Sequence, residues 1–276
     1  MLIDSHAHLE MPEFEKDLHD VIQRAMDSEV SAIFTVGTEQ KDWTRALEIA
    51  RSYPNIYAIL GVHPHNAKEI EEETYSVLRK LCREEQVKAY GEIGLDFFRD
   101  RSPRRVQIER FREQVGLARE LRLPIVVHDR EAHQETLEVL KSERAEECGG
   151  IIHCFSGDES MAKACIAMGF YISISGTITY KNAGQFQEIV RYLPLESLLV
   201  ETDAPFLAPV PFRGKRNEPS HVRYTARKVA EVKKVSFEKV AEATTGNARR
   251  VFKLNDPLSA LLSLEREGKG KDKEDL

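Results

Sequence analysis

Six of the nine histidines lie where short apolar segments of the sequence end. They are His6, His8, His63, His65, His128 and His153. Because His6 and His8 are two residues apart, their side chains share one face of an extended strand and can reach one metal ion together. A His-x-His pair alone is also typical of a structural or surface role.

Two carboxylates extend this set. Glu92 ends one apolar segment, and Asp203 follows another. Such a cluster of titratable groups would be costly to bury unless cations occupied it. In a dinuclear centre a bridging carboxylate holds two cations about 3.5–4 Å apart, and a water between them loses a proton near neutral pH. The sequence therefore predicts two divalent cations that activate water for hydrolysis.

A centre of this kind suits the hydrolysis of a phosphodiester. That reaction needs an activated water, neutralisation of the non-bridging oxygens and help for the departing alkoxide, and two cations with one acid–base group can supply all three. The sequence contains no Gly-x-Ser-x-Gly elbow, Walker loop or dinucleotide-binding fingerprint. Serine hydrolases and kinases are therefore disfavoured.

The elements that must position these groups are short apolar segments rich in β-branched residues, which alternate with segments of helical period. We predict eight strands, at Leu2–His8, Ala32–Val36, Tyr57–Gly61, Ala89–Ile93, Ile125–His128, Gly150–Cys154, Tyr171–Ser175 and Leu198–Glu201. Most of them are too short and too continuously apolar for a half-exposed antiparallel sheet. A parallel sheet covered by helices is the better interpretation.

Amphipathic helices are predicted between these strands. Apolar residues recur on one face from Phe14 to Met26, and the segment Pro103–Leu121 begins with a proline that favours a first helical turn. An open doubly wound sheet has the same local pattern, so periodicity leaves both architectures open. The polar residues at the strand ends favour an α/β fold of the (β/α)8 TIM-barrel type, because barrel active sites form there.

Length and charge limit the possible organisation. The 276 residues show no linker or repeat, so we expect one barrel domain over residues 1–264 and a charged, solvated tail over residues 265–276. The net charge of −6 argues against coating of a long duplex and favours a short contact with a chain end.

The cysteines and apolar segments indicate where such a protein works. Cys82, Cys148, Cys154 and Cys165 have no CxxC spacing, so buried reduced thiols are expected. We expect no secretory segment, because the chain enters at once with Met1–Asp4, and no apolar run approaches the ~18 residues of a membrane span. A cytoplasmic protein without a membrane contact is predicted; the oligomeric state stays open, with a monomer favoured.

Several motifs occur together and in a fixed order. They are Asp4–His8, Gly61–His65, Gly91–Asp96, His128, His153–Gly157 and Glu201–Pro205. In this set the chain resembles the TatD-related metal-dependent deoxyribonucleases, within the wider amidohydrolase-like barrels. We find no departure from the family pattern at these positions.

The resemblance implies a metal-binding role for six residues: His6, His8, Glu92, His128, His153 and Asp203. By this resemblance, His6 and His8 hold one cation that Asp203 completes, while His128 and His153 hold the other. Glu92 bridges the two, and Asp203 also orients or deprotonates the attacking water, so both carboxylates are the implied catalytic residues. His63 and His65 lie near the phosphate. The mixed nitrogen and oxygen ligands suit Mg, Mn or Zn and do not choose among them.

Basic residues offer candidate substrate contacts. The loop of residues 211–219 carries Arg213, Lys215 and Arg216, and guanidinium groups match phosphate geometry. By the resemblance this loop contacts substrate; the alternative is a solvated loop that pairs with acidic neighbours. A second patch, either substrate-binding or merely solvating a helix start, consists of Arg99, Arg101, Arg104 and Arg105.

Four further residues stay ambiguous. His19 and His133 fall within helical segments and are expected on the surface, whereas His221 either caps a helix or touches the substrate. Glu201 shares the strand face of Asp203 and either supports a metal ligand or forms an ordinary ion pair in the barrel.

Three functional hypotheses follow. The first is a deoxyribonuclease that acts on single-stranded DNA ends, as a 3′–5′ exonuclease by resemblance. The second is an ester or amide hydrolase, such as an aminoacyl-tRNA deacylase, because an activated water attacks a carbonyl equally well. The third is a metal-stabilised binding protein without catalysis.

Overall fold

A computed structural model describes residues 1–254 of the chain and contains eight β-strands in one sheet. They are β1 (Leu2–Ala7), β2 (Val30–Gly37), β3 (Ile56–Leu60), β4 (Val87–Asp96), β5 (Ile125–Arg130), β6 (Gly150–Ile152), β7 (Phe170–Ile174) and β8 (Leu198–Val200). All eight predicted strands are therefore present, with ends shifted by a few residues. The predicted tail, residues 265–276, and the predicted domain end at residue 264 lie outside the described residues.

The sheet is parallel throughout and follows the order of the chain from β1 to β8. Its two edges meet where the His8 N–H donates to the Ala204 carbonyl oxygen at 2.7 Å and the Asp203 N–H donates to the His6 carbonyl oxygen at 2.9 Å. The sheet is thus a nearly closed barrel, and the predicted (β/α)8 TIM barrel is confirmed over the open doubly wound sheet.

Helices follow the strands and cover the outside of the barrel. They are α1 (Leu18–Asp27), α2 (Gln40–Ser52), α3 (Glu72–Leu81), α4 (Arg104–Leu121), α5 (His133–Ser142), α6 (Glu159–Ala167), α7 (Gly184–Tyr192), α8 (Val222–Lys233) and α9 (Phe237–Val251). The predicted helix at Pro103–Leu121 is confirmed as α4, with Pro103 directly before it. The segment predicted at Phe14–Met26 is a short 3₁₀ helix, Pro12–Phe14, followed by α1.

The barrel interior is apolar at the end where the strands begin. One layer of buried side chains fills it, and α9 closes it, because Phe252 just beyond this helix stacks on Phe34 of β2 with ring centroids 3.7 Å apart. Helices α1 to α8 pack on the outer faces of the strands in a second, larger apolar layer. The end where the strands finish is therefore left for polar side chains.

The expectation of buried reduced thiols holds for two of the four cysteines. All four cysteines are free; Cys82 and Cys165 are buried, whereas Cys148 and Cys154 are only half-buried. In residues 1–254, no helix has the length and apolar character needed to cross a membrane.

Two glycines with positive φ, at the starts of neighbouring strands, differ in the space available for a side chain. Gly150 begins β6 with φ +153°, and a Cβ there would lie 2.0 Å from the Ile125 carbonyl oxygen of β5. Gly169 precedes β7 with φ +83° and has no atom within 4 Å of the same position. We expect Gly169→Ala to lower the free energy of unfolding by about 1–2 kcal/mol through backbone strain alone, and Gly150→Ala to lower it by more.

Urea denaturation of both variants checks this expectation. Equal losses would show that β5 and β6 can separate at little cost, contrary to a tightly closed barrel.

Candidate metal centre

The carboxyl ends of the strands open into a polar cleft of about 500 Å³. Its walls carry histidines and carboxylates from six different strands or the segments that follow them, namely His8, His63, His65, Glu92, Asp96, His128, His153 and Asp203. His6, fully buried on β1, lies against this set. The structure therefore brings all six predicted metal ligands, together with His63 and His65, to one place.

The Glu92 carboxylate stands at the centre of this cluster. Its Oε2 lies 3.3 Å from His6 Nε2, while its Oε1 lies 2.6 Å from His128 Nδ1, 3.5 Å from His63 Nε2 and 3.6 Å from His153 Nε2. The two oxygens thus face different histidines. This is the arrangement that a carboxylate shared by two cations requires.

The first group of donors consists of His6, His8 and Asp203, whose ligand atoms all lie within 4.8 Å of one another. His8 Nε2 is 3.4 Å from Asp203 Oδ1 and 3.4 Å from His6 Nε2. These three residues are the ones that the resemblance groups around one cation.

The second group is arranged differently from the implied pair of His128 and His153. His63, Glu92 and His128 offer ligand atoms within 4.8 Å of one another. The His153 ring stacks on that of His6 at 3.5 Å, whereas its centroid is 6.3 Å from that of His128. His153 therefore lies between the two groups rather than beside His128.

Hydrogen-bond partners indicate which ring nitrogens carry a lone pair toward the cleft. His8 Nδ1 lies 3.1 Å from the Val36 carbonyl oxygen, which can only accept, so the proton belongs on Nδ1 and Nε2 is free as a ligand. His153 Nδ1 lies 2.9 Å from the buried Glu201 Oε1, although the two groups do not have the geometry of a hydrogen bond, and its Nε2 faces the cleft, 3.6 Å from Glu92 Oε1. Glu201 thus lies behind a candidate ligand.

His63 has the opposite arrangement. Its Nδ1 accepts the His65 backbone N–H at 3.1 Å, so the neutral ring carries its proton on Nε2. That N–H points toward Glu92 Oε1, 3.5 Å away. His63 is therefore placed among the ligands but set up as a hydrogen-bond donor, which agrees with its implied position near a phosphate.

The charges in the cleft shift the pKa values of its carboxyl groups. Burial raises the pKa of Glu92, but the electrostatic influence of the neighbouring histidines, His153 first, and the hydrogen bonds from His128 and His6 outweigh it, and the net pKa is well below the ordinary value. Burial also raises the pKa of Asp203, and His8 and His153 again bring the net pKa below the ordinary value. Both carboxylates are ionised at neutral pH.

The pKa values of the histidines in the cleft shift in opposite directions. Burial lowers the pKa of each ring, but Asp96 and Glu92 raise the pKa of His128 to about 10, and Glu201 and Glu92 raise the pKa of His153 to about 9. For His63, burial and the neighbouring His128 together hold the pKa well below its usual value.

A pair of cations fits these residues. Imidazole nitrogens and carboxylate oxygens converge from several strands, as divalent cations require. In the described part of the chain, His6 Nδ1 is buried without a hydrogen-bond partner, which is costly for a polar atom. The other nitrogen of this ring, Nε2, lies 3.3 Å from Glu92 Oε2 and 3.4 Å from His8 Nε2, so it is the nitrogen that faces a cation.

Asp96 belongs to the motif Gly91–Asp96, but the sequence alone assigned it no role. Its Oδ2 lies 2.9 Å from His65 Nε2 and 3.2 Å from His128 Nε2, and its Oδ1 accepts the Arg99 backbone N–H at 2.7 Å. Asp96 therefore orients two histidines of the cleft. Its position four residues after Glu92, at the end of the same strand, was the available signal.

The sequence suggested that the basic loop after β8 lies beside the site, but Arg213, Lys215 and Arg216 do not line the cleft. Arg216 forms two hydrogen bonds to Asp17, of 2.8 and 2.7 Å, and its guanidinium lies over Phe14. Arg213 lies over the Tyr180 ring at 4.4 Å, and Lys215 is exposed. The alternative of pairing with acidic neighbours thus describes Arg216, because the Asp17 carboxylate satisfies its guanidinium.

Other basic residues line the cleft instead. Arg99 and Arg101, from the second patch, and Arg130 at the end of β5 stand on its walls. Arg130 also lies 4.1 Å from the centroid of the half-exposed Phe98 ring. Arg104, by contrast, pairs with Asp100 at the start of α4. Arg130 could not be identified from the sequence, because its position two residues after His128 on β5 is informative only once the structure shows that β5 ends at the rim of the cleft.

The remaining histidines lie outside the cleft. The His221 ring stacks on Phe212, and its Nδ1 is 2.9 Å from Asn217 Oδ1, so this histidine orders the loop after β8 and makes no capping bond to α8. His19 is exposed, as expected. His133, at the start of α5, is about one-third exposed and pairs with Asp129.

Comparison with known proteins shows similarity over almost the whole chain. The sequence model of the family described as TatD related DNase matches residues 3–253. An uncharacterized metal-dependent hydrolase, YabD of Bacillus subtilis, is 46% identical over 92% of this chain and 100% of its own length. A protein of Erwinia tasmaniensis named 3′-5′ ssDNA/RNA exonuclease TatD is 37% identical over 92% of this chain and 100% of its own length.

A solved structure agrees with this similarity. The crystal structure of YJJV, a TatD homologue from Escherichia coli K12, has a TM-score of 0.87 and 32% sequence identity, over 92% of this chain and 98% of that one.

The raised pKa values of the histidines generate a prediction for metal binding. Since His128 and His153 have pKa values of about 10 and about 9, both carry protons at pH 7, and a cation binds only the neutral ring. We expect the apparent affinity of the metal-free protein for Mn²⁺ to rise as the pH increases from 6 to 9, with release of protons. Calorimetric titration in buffers of different ionisation enthalpy measures that release.

Glu201→Gln is the matched variant. It removes the buried charge that raises the pKa of His153 and should reduce the number of protons released near pH 8. An affinity independent of pH would contradict the expected protonation of these rings.

Proposed function

Because the chain belongs to the TatD-related DNase family, we propose that this metal-dependent hydrolase cleaves phosphodiester bonds of DNA, as a 3′–5′ exonuclease on single-stranded ends. The observation that carries this proposal is the position of Arg99, Arg101 and Arg130 on the walls of the cleft that holds the candidate metal ligands. Guanidinium groups beside such a centre suit a substrate with several phosphates. A relative named as an ssDNA/RNA exonuclease adds support.

Six residues are proposed to hold two divalent cations, of which Mg, Mn and Zn all suit the donors. By the resemblance, His6, His8 and Asp203 would hold one and His128 and His153 the other, with Glu92 shared between them. The assignment of His153 to the second cation rests on the resemblance rather than on its position, since its ring stacks on that of His6. When bound, the cations would supply positive charge against the phosphate and lower the pKa of a water molecule.

Asp203 is the proposed proton acceptor. Its Oδ1 lies 3.4 Å from His8 Nε2 and 3.9 Å from His153 Nε2, and its side chain is 13% exposed to the cleft. Since its pKa is held below the ordinary value, the carboxylate is ionised at neutral pH and can orient the attacking water or take its proton. Glu92, only 4% exposed, is proposed to position ligands rather than to exchange protons with the substrate.

Substrate binding is assigned to groups around this acceptor. The His63 Nε2–H donor and the His65 ring held by Asp96 stand beside Glu92 and His128. Guanidinium groups on the walls would bind the phosphates on either side of the bond that is cleaved. The negative net charge of the whole chain disfavours a long electrostatic contact, so binding at a strand end is the better fit.

An acyl substrate on the same centre is the alternative, because the ligands do not distinguish phosphorus from carbon. A neutral ester would make no use of three guanidinium groups. An acylated nucleic acid would use them, and a direct comparison of substrates is therefore needed.

The exonuclease proposal predicts the effect of Asp203→Asn. Metal-stripped protein refilled separately with Mg²⁺, Mn²⁺ or Zn²⁺ should shorten an end-labelled single-stranded oligonucleotide stepwise, and the variant should lose about 10²–10⁴-fold in rate because the proton acceptor is gone. Asp27→Asn, an exposed position on α1, is the matched control and should keep full activity.

The outcome that would overturn the proposal is an unchanged oligonucleotide with every cation. Hydrolysis of an aryl ester by the same samples, without hydrolysis of a bis-aryl phosphodiester, would then favour the acyl alternative.

A second prediction separates the basic groups on the cleft from those of the loop after β8. Because a charged hydrogen bond contributes about 1.5–3 kcal/mol, Arg130→Ala should lower kcat/KM on an oligonucleotide about 10- to 100-fold. Arg216→Ala should change it little, because Asp17 already binds this side chain. Steady-state kinetics on both variants would contradict the assignment if Arg216→Ala were the more harmful.

A further inference from the structure

A second pocket, of about 540 Å³, lies beside the metal centre and is not used by the function proposed above. It is formed by the segments that follow β6 and β7 and by the first turns of α7. Its walls are mainly apolar and include Phe155, Tyr180, Phe186 and Ile189. We call it the Phe186 pocket.

The Phe186 pocket adjoins the candidate ligands directly. Cys154 is one of its wall residues. The Cys154 Sγ also lies within 4.8 Å of ligand atoms of His153 and Asp203, and both of these residues line the polar cleft. A ligand that occupied both spaces would therefore pass Cys154 on its way from the ionised centre to the apolar pocket.

The walls of the pocket suit a flat aromatic ligand with polar edges. The rings of Phe155 and Phe186 are 6.5 Å apart and tilted by 34°. The side-chain amides of Asn182 and Gln185 stand at the exposed rim. Aromatic rings stack on heterocycles, and amides can donate to or accept from their edges. An aliphatic acyl chain would need only the apolar surface.

Charged groups of both signs stand at the edge of the same pocket, since Asp158 also lines it. His133 lines it and pairs through Nδ1 with Asp129, a carboxylate whose side chain is 1% exposed and which also accepts a 2.7 Å hydrogen bond from Thr136 Oγ1. Arg213 lies over the ring of the wall residue Tyr180. Because Asp129 pairs with His133 and Asp158 also lines the pocket, Arg213 is the cation here that favours a ligand with a phosphate next to its ring.

We propose that the Phe186 pocket binds the nucleobase of a nucleotide adjoining the phosphate that the metal centre receives. Cys154 lines the pocket, and its Sγ lies within 4.8 Å of ligand atoms of the centre, so the two spaces adjoin as a base and its phosphate do across one sugar. This inference rests on the proposed function and extends it, because it assigns the recognition of the base to the segments after β6 and β7. Stacking on an aromatic side chain tolerates every base, so broad sequence acceptance follows.

Kinetics on oligonucleotides with a single missing base test the inference. Two substrates carry an abasic residue on one or the other side of the phosphate that is cleaved first. We expect one of them, and only one, to be cleaved by the wild-type protein with kcat/KM lowered about 5- to 100-fold, the range that corresponds to the stacking of one base.

The variant Phe186→Ala should show the same loss of kcat/KM on the intact oligonucleotide. It should show no further loss on the abasic substrate that the wild-type protein cleaves more slowly. Phe186→Leu keeps apolar volume without a ring, so its kcat/KM on the intact oligonucleotide should lie between those of the wild-type protein and Phe186→Ala. Tyr192→Ala removes an exposed aromatic residue from the other end of α7 and should behave as wild type. Equal losses on intact and abasic substrates, or no loss at all, would overturn the inference.

A binding measurement separates this inference from the proposed function. The 5′-monophosphate of 2-aminopurine deoxyriboside contains no phosphodiester, and its fluorescence is quenched by stacking. We expect the wild-type protein in Mg²⁺ to quench this fluorescence. Phe186→Ala should lower the affinity measured from the quenching about 5- to 100-fold. Addition of dAMP should reverse the quenching, whereas deoxyribose 5-phosphate should not. Quenching without any oligonucleotide cleavage would contradict the proposed nuclease activity and support base binding in the Phe186 pocket. Cleavage without quenching would support the nuclease activity and contradict base binding in the pocket.

Discussion

The burial of one carboxylate among imidazoles is the interaction on which the rest of this site depends. Glu92 is 4% exposed, and each of its oxygens faces different histidines. An ionised carboxylate in such a place is stable only with positive charge or hydrogen-bond donors around it. The neighbouring histidines supply protons for this purpose when no cation does, and the same nitrogens are the ligands that cations need. Stability and metal binding therefore use one set of atoms.

The barrel makes this concentration of charge tolerable because its two ends differ. Where the strands begin, Phe34 and Phe252 stack inside an apolar layer. Where the strands finish, Asp96 and Glu201 stand behind the histidines and fix their rings. An ordered shell of this kind limits the motion of the ligands, and pre-organisation is what metal-dependent hydrolysis requires.

Most of the fold and the composition of the centre could be predicted from the sequence. The eight strands were recognisable because a parallel barrel needs short apolar strands, and the motifs around His6, Glu92 and Asp203 were local. The strand ends were less certain, since β4 continues to Asp96 and β5 to Arg130 through polar residues. Polar side chains at the rim do not differ in type from those of a loop, so hydropathy could not place these ends.

The sequence by itself determined which chemical groups are present, their order along the chain and the alternation of strands with helices, because strand period and apolar pattern are local properties. Only the tertiary structure decided how these groups are paired. It placed His153 on His6 rather than beside His128, and it turned Arg216 to Asp17 while Arg130 took a place on the cleft. These outcomes depend on distances between residues far apart in the chain, and a charged side chain contacts whichever opposite charge the fold brings nearest.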